Sequence, residues 1–254
     1  MATAAEVLLF PSQYDQGASL ALASSTTLRL TFIVPVYNEV ATVEQVLDRV
    51  DALPFAKQII VVDDGSTDGT SEVLEAWKER TGSLLIRQPN RGKGAAIRAA
   101  IPHIDGDIVV VQDADGEYDP VDVPRLVEPI ARGAADVVFG SRLSGGQPQR
   151  AYLFWHLLGN RFLSLLTNIL FNTTLSDMET GYKVFRADVL RSLDLRENRF
   201  GIEPEITGKI CKKRCRIYEL PIAYYGRSYS EGKKITWKDG FRAIGVLISV
   251  RVAR

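Results

Sequence analysis

Apolar, β-rich runs alternate with stretches of helical periodicity from Leu28 to Arg142, and most of the apolar runs end in a polar cluster. LRLTFIVPVYNE (28–39) is stopped at Pro35, and residues 39–52 follow with Val43, Val46, Leu47 and Val50 at helical spacing. KQIIVVDDGSTDGT (57–70) repeats the pattern: an apolar strand, then Asp63, Asp64 and a Ser/Thr/Asp cluster able to cap a helix that runs to about Arg80. SLLIRQ (83–88) reads as a strand, 93–103 as a helix, DIVVVQD (107–113) as a strand, 120–131 as a helix and ADVVFGSR (135–142) as a strand. This alternation predicts an α/β fold: a Rossmann-like, mostly parallel central sheet with helices on both faces. In such sheets ligands bind beyond the carboxyl ends of the strands. PVYNE, DDGSTD, QDADGEYD and GSR all fall there, so four strands deliver polar groups to one edge.

The second part of the chain differs. AYLFWHLLGNRFLSLLTNILFN (151–172) predicts a long helix with a narrow polar stripe of His156, Asn160, Ser164 and Asn168. Its other faces are apolar, which suits burial, or packing on the sheet with one flank and lying in a membrane interface with the other. SDMETGYKVFR (176–186) reads as a loop entering a short strand, followed by a helix near 203–213 and strands near 216–225. The chain of 254 residues has zero net charge, but from Glu205 onward twelve Lys/Arg stand against four Asp/Glu. Residues 236–254 form a basic amphipathic helix: Trp237, Phe241, Ile244 and Ile248 make a stripe suited to the core, while Lys234, Lys238 and Arg242 make a basic face suited to anionic lipid. Residues 1–28, without Lys or Arg, read as a flexible tail and not as a signal peptide. No apolar run reaches 18 residues, so no transmembrane helix is expected. Cys211 and Cys215 in CKKRC read as reduced thiols on a packed helix, because zinc asks for about four ligands and His103 and His156 are distant. That usage fits a reducing compartment.

The acids of QDADGEYDP (112–120) raise the sharpest question. Asp113 and Asp115 are two apart, so in extended backbone they point the same way. Side by side they repel, and one pKa rises unless a cation intervenes. Mg²⁺ commonly takes one or two carboxylates and completes its shell with water and substrate phosphates. An EF-hand does not fit: Gly116 is fourth from Asp113 instead of sixth, and the twelfth residue is Pro124. A solvated acidic turn leaves the other strand ends unexplained. A two-metal nuclease or polymerase site, with Asp63 and Asp64 adding carboxylates, is the remaining alternative. NRGKGAA (90–96) is neither a Walker loop, since Arg87 replaces its first glycine, nor a dinucleotide fingerprint, since Ile97 replaces its third. It reads as a tight turn into a helix N-terminus, either plain or with Arg91 and Lys93 available to anions.

PVYNE (35–39), VDDGSTDGT (62–70), NRGKGAA (90–96), QDADGEYDP (112–120) and GSR (140–142) together resemble the family 2 inverting glycosyltransferases of the GT-A fold. DMETGYKVFR (177–186), FGIEPEI (200–206) and RSYSEGKK (227–234) are similar to its dolichol- and polyprenyl-phosphate sugar transferases, and the resemblance runs from about Leu30 to Phe241. It implies a catalytic domain over 29–235 that moves a hexose from a nucleotide sugar, GDP-mannose or UDP-glucose, to a polyisoprenyl (dolichyl) phosphate. It further implies that Pro35, Tyr37, Glu39, Val62 and Asp64 line the nucleotide pocket, and that Asp113, Asp115 and Glu117 hold Mg²⁺ or Mn²⁺, with Ala114 contributing backbone. Arg142 would meet the acceptor phosphate, Arg227 and Lys233 would close over the donor, and Asp177 would serve as a base or an orienting carboxylate. A phosphate monoester has a second pKa near ~6, so a strong base is not required. The implied setting is peripheral, on the cytoplasmic face of a membrane, by lipid contact or through a membrane-anchored subunit, with no nucleic-acid partner. Transfer to a soluble or polysaccharide acceptor, and a non-catalytic nucleotide-sugar-binding subunit, are the competing functions.

Overall fold

The computed structural model describes residues 28–150, 153–227 and 237–253. Along the chain run β1 (Arg29–Val36), α1 (Val43–Asp51), β2 (Ala56–Asp63), α2 (Thr70–Thr81), β3 (Leu84–Arg87), α3 (Lys93–Ala100), β4 (Ile108–Val111), α4 (Val123–Ala131) and β5 (Val137–Ser141). Then come α5 (Phe154–Phe171), β6 (Lys183–Arg186), α6 (Ala187–Arg191), α7 (Ile202–Lys212), β7 (Ile217–Pro221) and α8 (Trp237–Val252). The expected tail over residues 1–28 lies outside the described residues except for Leu28, which packs against the core.

The strands form one seven-stranded sheet in the order β3-β2-β1-β4-β6-β5-β7. β1 pairs in parallel with β2 and β4, β2 with β3, and β5 with β7. β6 alone is antiparallel, to β4 on one side and β5 on the other. The carboxyl ends of β1, β2, β4, β5 and β7 therefore share one edge. Because β6 runs the opposite way, the segment entering it, Asp177 to Tyr182, arrives at that same edge.

The sheet is apolar on both faces, which is why its strands read as near-continuous hydrophobic runs. On one face Phe32, Val34, Val61, Val110 and Val138 pack under α1, α2 and α4, with Leu47, Trp77 and Leu126 as the large contributors. On the other, Ile33, Ile60, Val109 and Phe139 pack under α3, α6 and α7 through Ile97, Leu190 and Ile206. A third, smaller core of Leu163, Met178, Ala243 and Leu247 joins α5 and α8.

Two C-terminal expectations are corrected here: the burial of the 151–172 helix, which packs with one flank only, and the core stripe of α8. The polar stripe of α5 faces inward: Ser164 is buried and its Oγ accepts a hydrogen bond from Met178 N, while Asn168 brackets Leu175 through its N–H and its carbonyl. The 172–178 loop makes no ladder, so its backbone takes partners from these side chains. The apolar side is left outward, with Phe154, Trp155, Leu158, Phe162, Leu165 and Ile169 all exposed, Trp155 by 78%. On α8 the buried residues are Ala243, Val246, Leu247 and Val250, whereas Phe241 and Ile248 of the expected core stripe are exposed. Of the basic face, Arg242 binds Glu197, and Lys234 lies outside the described residues. Among the described residues no helix is long and apolar enough to cross a membrane.

Candidate active site

β1 ends at Val36, flanked by Pro35 and Tyr37, both half-buried, and the chain turns through Asn38 at a positive φ of 51°. Glu39 is buried; its N–H bonds Thr70 Oγ1, and its carboxylate grips Arg227 from across the edge, at 2.8 and 3.0 Å. Thr42, at the head of α1, donates to Ala114 O at 2.8 Å and so ties the end of β1 to the acidic turn after β4.

The acids after β2 are spent on scaffolding. Asp63 accepts from Ser66 N and Ser71 Oγ. Asp64 accepts from Gln88 Nε2, Arg91 N and Gly92 N at 2.6 to 2.9 Å, and it is buried. It fixes the NRGKG turn from within through these three bonds. Between the two acids and that turn the chain has room for glycine only: a Cβ on Gly65 would stand 2.8 Å from Asn90 N, at φ 77°. The Val62 side chain is likewise in the core, beside Ile33 and Ile60, and not in a pocket wall.

β4 stops at Val111, and residues 112–119 turn instead of running extended, so the alternate-residue argument for Asp113 and Asp115 does not hold. The carboxylates nonetheless gather. Asp113 turns to Lys93, whose Nζ lies 2.7 and 2.9 Å from its two oxygens. Lys93 also pairs with Glu203 of α7 at 3.1 Å, and Lys183 of β6 closes on the other oxygen of Glu203. Lys93 is thus half-buried inside an ion-pair chain and is not a free anion ligand. Those two carboxylates hold its ammonium well above the ordinary lysine range, against the opposing effect of burial. Asp115 accepts from Glu117 N and lies 3.5 Å from Arg227. Burial first, and then the charges of Asp113 and Glu117, push its carboxyl up to about 7. Glu117 is held by Tyr224 Oη at 2.8 Å and by Arg227 N at 2.6 Å. Asp119, the last acid of the series, is structural: it caps the turn at Pro120–Asp122 and binds Arg49.

Opposite these acids, Asp177 is fully buried and takes three donors from one residue: Arg142 N, Nε and Nη2, at 2.9, 2.7 and 2.8 Å. The guanidinium carbon lies 5.2 Å from the Tyr224 ring centroid. Ser176 N and Asp177 N donate to Glu219 of β7, which steadies the loop. Both Asp177 oxygens are engaged in holding Arg142, an arrangement that suits the orienting role better than that of a base. Tyr118 stacks on Tyr182 at 5.2 Å, and its Oη accepts a hydrogen bond from Gly181 N at 3.1 Å.

A divalent ion fits this chemistry. Burial first, and then the charges of Asp113 and Glu117, raise the Asp115 carboxyl, and a cation beside Asp113 and Asp115 would offset that unfavourable charge. Among the described residues no group of three His, Cys, Asp or Glu side chains is arranged to hold a metal ion by itself. The expected pair of Arg227 and Lys233 is half visible: Arg227 bridges Glu39 and Asp115, and Lys233 lies outside the described residues. Sequence reasoning missed Glu203, Lys183, Tyr224 and Glu219. The one available signal was a pair of acids, Glu203 and Glu205, in an otherwise apolar helix start.

Fold and site define a glycosyltransferase-class α/β protein. The chain belongs to glycosyl transferase family 2, whose model matches residues 31–194. It is 33% identical over 221 residues to the undecaprenyl-phosphate mannosyltransferase of Micrococcus luteus, covering 81% of this chain and 87% of that one. It is 31% identical over 196 residues to glycosyltransferase AglJ of Haloferax volcanii, covering 77% of this chain but only 62% of that protein's length. Among solved structures, glucosyl-3-phosphoglycerate synthase of Mycobacterium tuberculosis in complex with Mn²⁺ and UDP-glucose superposes with a TM-score of 0.69 at 23% identity, over 95% of this chain and 84% of that one. That likeness confirms the GT-A type of fold expected from the sequence.

Proposed function

We propose that this chain transfers a hexose, with inversion, from a nucleotide diphosphate sugar to the phosphate of a polyisoprenyl lipid at a membrane surface. The observation that carries this reading is the pairing of two poles on one sheet edge: the carboxylates Asp113 and Asp115, and the Arg142 guanidinium locked by Asp177. The first suits a metal-bound diphosphate; the second suits a phosphate acceptor. Relatives named for transfer to undecaprenyl phosphate, and the outward apolar face of α5, support the lipid acceptor and the membrane surface.

In this reading Pro35, Tyr37 and Glu39 border the nucleoside, and the backbone at Ala114 and Asp115 borders the diphosphate. Asp113, Asp115 and the adjoining Glu117 would hold Mg²⁺ or Mn²⁺, which when bound stabilises the charge that develops on the leaving diphosphate. Glu117, held by Tyr224 and Arg227, shapes the turn in which Asp115 sits. Arg227 screens the same charge, and Lys233 joins it. Arg142 positions the acceptor phosphate for in-line attack on the anomeric carbon, and a fixed guanidinium suits that task better than a mobile ammonium. The setting is peripheral, through α5 and α8 or through a membrane-anchored subunit.

The test incubates the purified chain with radiolabelled GDP-mannose or UDP-glucose, undecaprenyl or dolichyl phosphate in vesicles, and Mg²⁺ or Mn²⁺. Organic-extractable label that disappears in Asp115→Ala is the expected result. Label that stays in the aqueous phase with every donor rejects the lipid acceptor.

A further inference from the structure

Glu179 has no part in the reaction set out above, yet it lies at the centre of the segment that joins the two poles. At one end of this segment Asp177 grips Arg142. At the other, Gly181 lies against the donor pole so closely that a Cβ would stand 2.5 Å from Asp113 Oδ2 and 2.7 Å from Lys93 Nζ. Between them, Thr180 Oγ1 is bonded to Gly140 O and fixes the turn to the end of β5. Glu179 is therefore carried on a rigid strap that runs from the acceptor pole to the donor pole.

The charges that act on its carboxyl are those of Lys183 of β6, Glu203 of α7, Arg142 beyond β5 and Asp177 on its own turn. The two cations are already engaged. Lys183 donates to Met178 O and Thr180 O and pairs with Glu203; Arg142 is committed to Asp177. Glu179 Oε1 is left shielded from solvent with no hydrogen-bond partner among the described residues. Such an oxygen is costly to keep and asks for a partner that arrives with a ligand.

We propose that Glu179 is a catalytic proton acceptor for the phosphate acceptor, taking the proton of a phosphate monoanion that settles beside Arg142. The proposal rests on the transfer reaction proposed above. The O–H bond of the phosphate breaks and its proton passes to Glu179 Oε1. The electron pair stays on the phosphate oxygen, which attacks the anomeric carbon while the bond from that carbon to the diphosphate oxygen breaks. The carboxylic acid so formed then donates a hydrogen bond to the phosphate and loses its proton to solvent after product leaves. A free phosphate monoester has its second pKa near ~6, so it still carries a proton over the lower part of the physiological range; for a bound one, Arg142 lowers that value and the neighbouring carboxylates raise it. Burial pushes the Glu179 carboxyl up to about 7, aided by Glu203 and Asp177 and opposed by Lys183 and Arg142. A base in that range is matched to the proton it must take.

The experiment measures kcat/KM for label transfer into undecaprenyl phosphate vesicles from pH 5.5 to 9, for wild type, Glu179→Gln and Glu179→Asp. The ratio of wild type to Glu179→Gln is expected to be within about threefold at pH 8.5 and to exceed about tenfold at pH 6, with Glu179→Asp restoring part of the loss. Titration of Asp115 is common to all three proteins and cancels in the ratio. A ratio that does not change with pH makes Glu179 merely structural and overturns the proposal. A second measurement needs no variant: adding a short-chain isoprenyl phosphate to wild type at pH 7 should raise a carboxylic-acid C=O band in the infrared difference spectrum, and its absence also overturns the proposal. If wild type labels no lipid at all, the transfer reading falls and this one with it; if it does and the ratio is flat, only this one falls.

Discussion

Replacing Lys93 by Met tests whether the ion-pair chain behind the acids holds the donor pole together. Met keeps most of the side-chain volume and removes only the charge. Lys93 Nζ sits 2.7 Å from Asp113 and 3.1 Å from Glu203, and the three side chains are 16%, 18% and 7% exposed. Glu203 keeps Lys183 after the substitution, so the damage concentrates on Asp113, which loses the ammonium that spans both its oxygens. Removing one partner of a buried pair costs about 3–5 kcal/mol. Because a sixth or so of the Lys93 and Asp113 surface still meets water, the lower end, about 3 kcal/mol, is the expected loss. At about 2–4 °C per kcal/mol for a domain of this size, the melting temperature should fall by about 6–12 °C. Thermal unfolding followed by circular dichroism reads this directly. Lys93→Met combined with Asp113→Asn should be more stable than Lys93→Met alone by at least about 1 kcal/mol, since the stranded charge is then gone. Mn²⁺ should also restore part of the melting temperature of Lys93→Met without nucleotide, because the cation replaces the lost ammonium at Asp113. A melting temperature within 2 °C or so of wild type, or additive single and double substitutions, would refute the reasoning.

Two further outcomes follow from the same geometry. The Asp115 carboxyl is raised from 3.8 to about 7, so between those values the folded protein keeps a proton that the unfolded chain has released. The stability contributed by this group is then lost as pH rises through that window. Asp115→Asn should accordingly raise the metal-free melting temperature at pH 8 by about 4 °C or more, and change it little near pH 4, while abolishing transfer; an equal shift at both pH values would show that charge is not the cause. On α5, Trp155→Glu with Phe162→Glu should cut co-sedimentation with anionic vesicles by about tenfold or more with little change in melting temperature, since both side chains already face solvent. Unchanged vesicle binding would remove α5 from the membrane contact.

Much of the framework was legible in the chain. β1, β2, β4 and β5 are apolar runs bounded by turn residues, and Val43, Val46, Leu47 and Val50 mark α1 by spacing alone. These are local signals, set by side-chain periodicity. The edge at which the acids collect followed from the parallel alternation. The roles within that edge were less legible. Asp64 and Asp113 look alike in sequence, yet one is locked inside a turn by Gln88, Arg91 and Gly92, and the other is paired with Lys93. The polar stripe of α5 was visible, but not that it serves the backbone of the 172–178 loop and leaves the apolar side exposed.

What the sequence determined by itself is the alternation, and with it a sheet whose strand ends present acids and hydroxyls together. What only the tertiary structure decided is the placing of β6, antiparallel between β4 and β5. That one insertion brings Asp177, Glu179 and Gly181 into the gap between Asp113 and Arg142, and it buries Lys183 against Glu203. Periodicity specifies which face of a strand is apolar, but strand order and direction depend on contacts between residues far apart in the chain, whose energies appear only when the layers are packed.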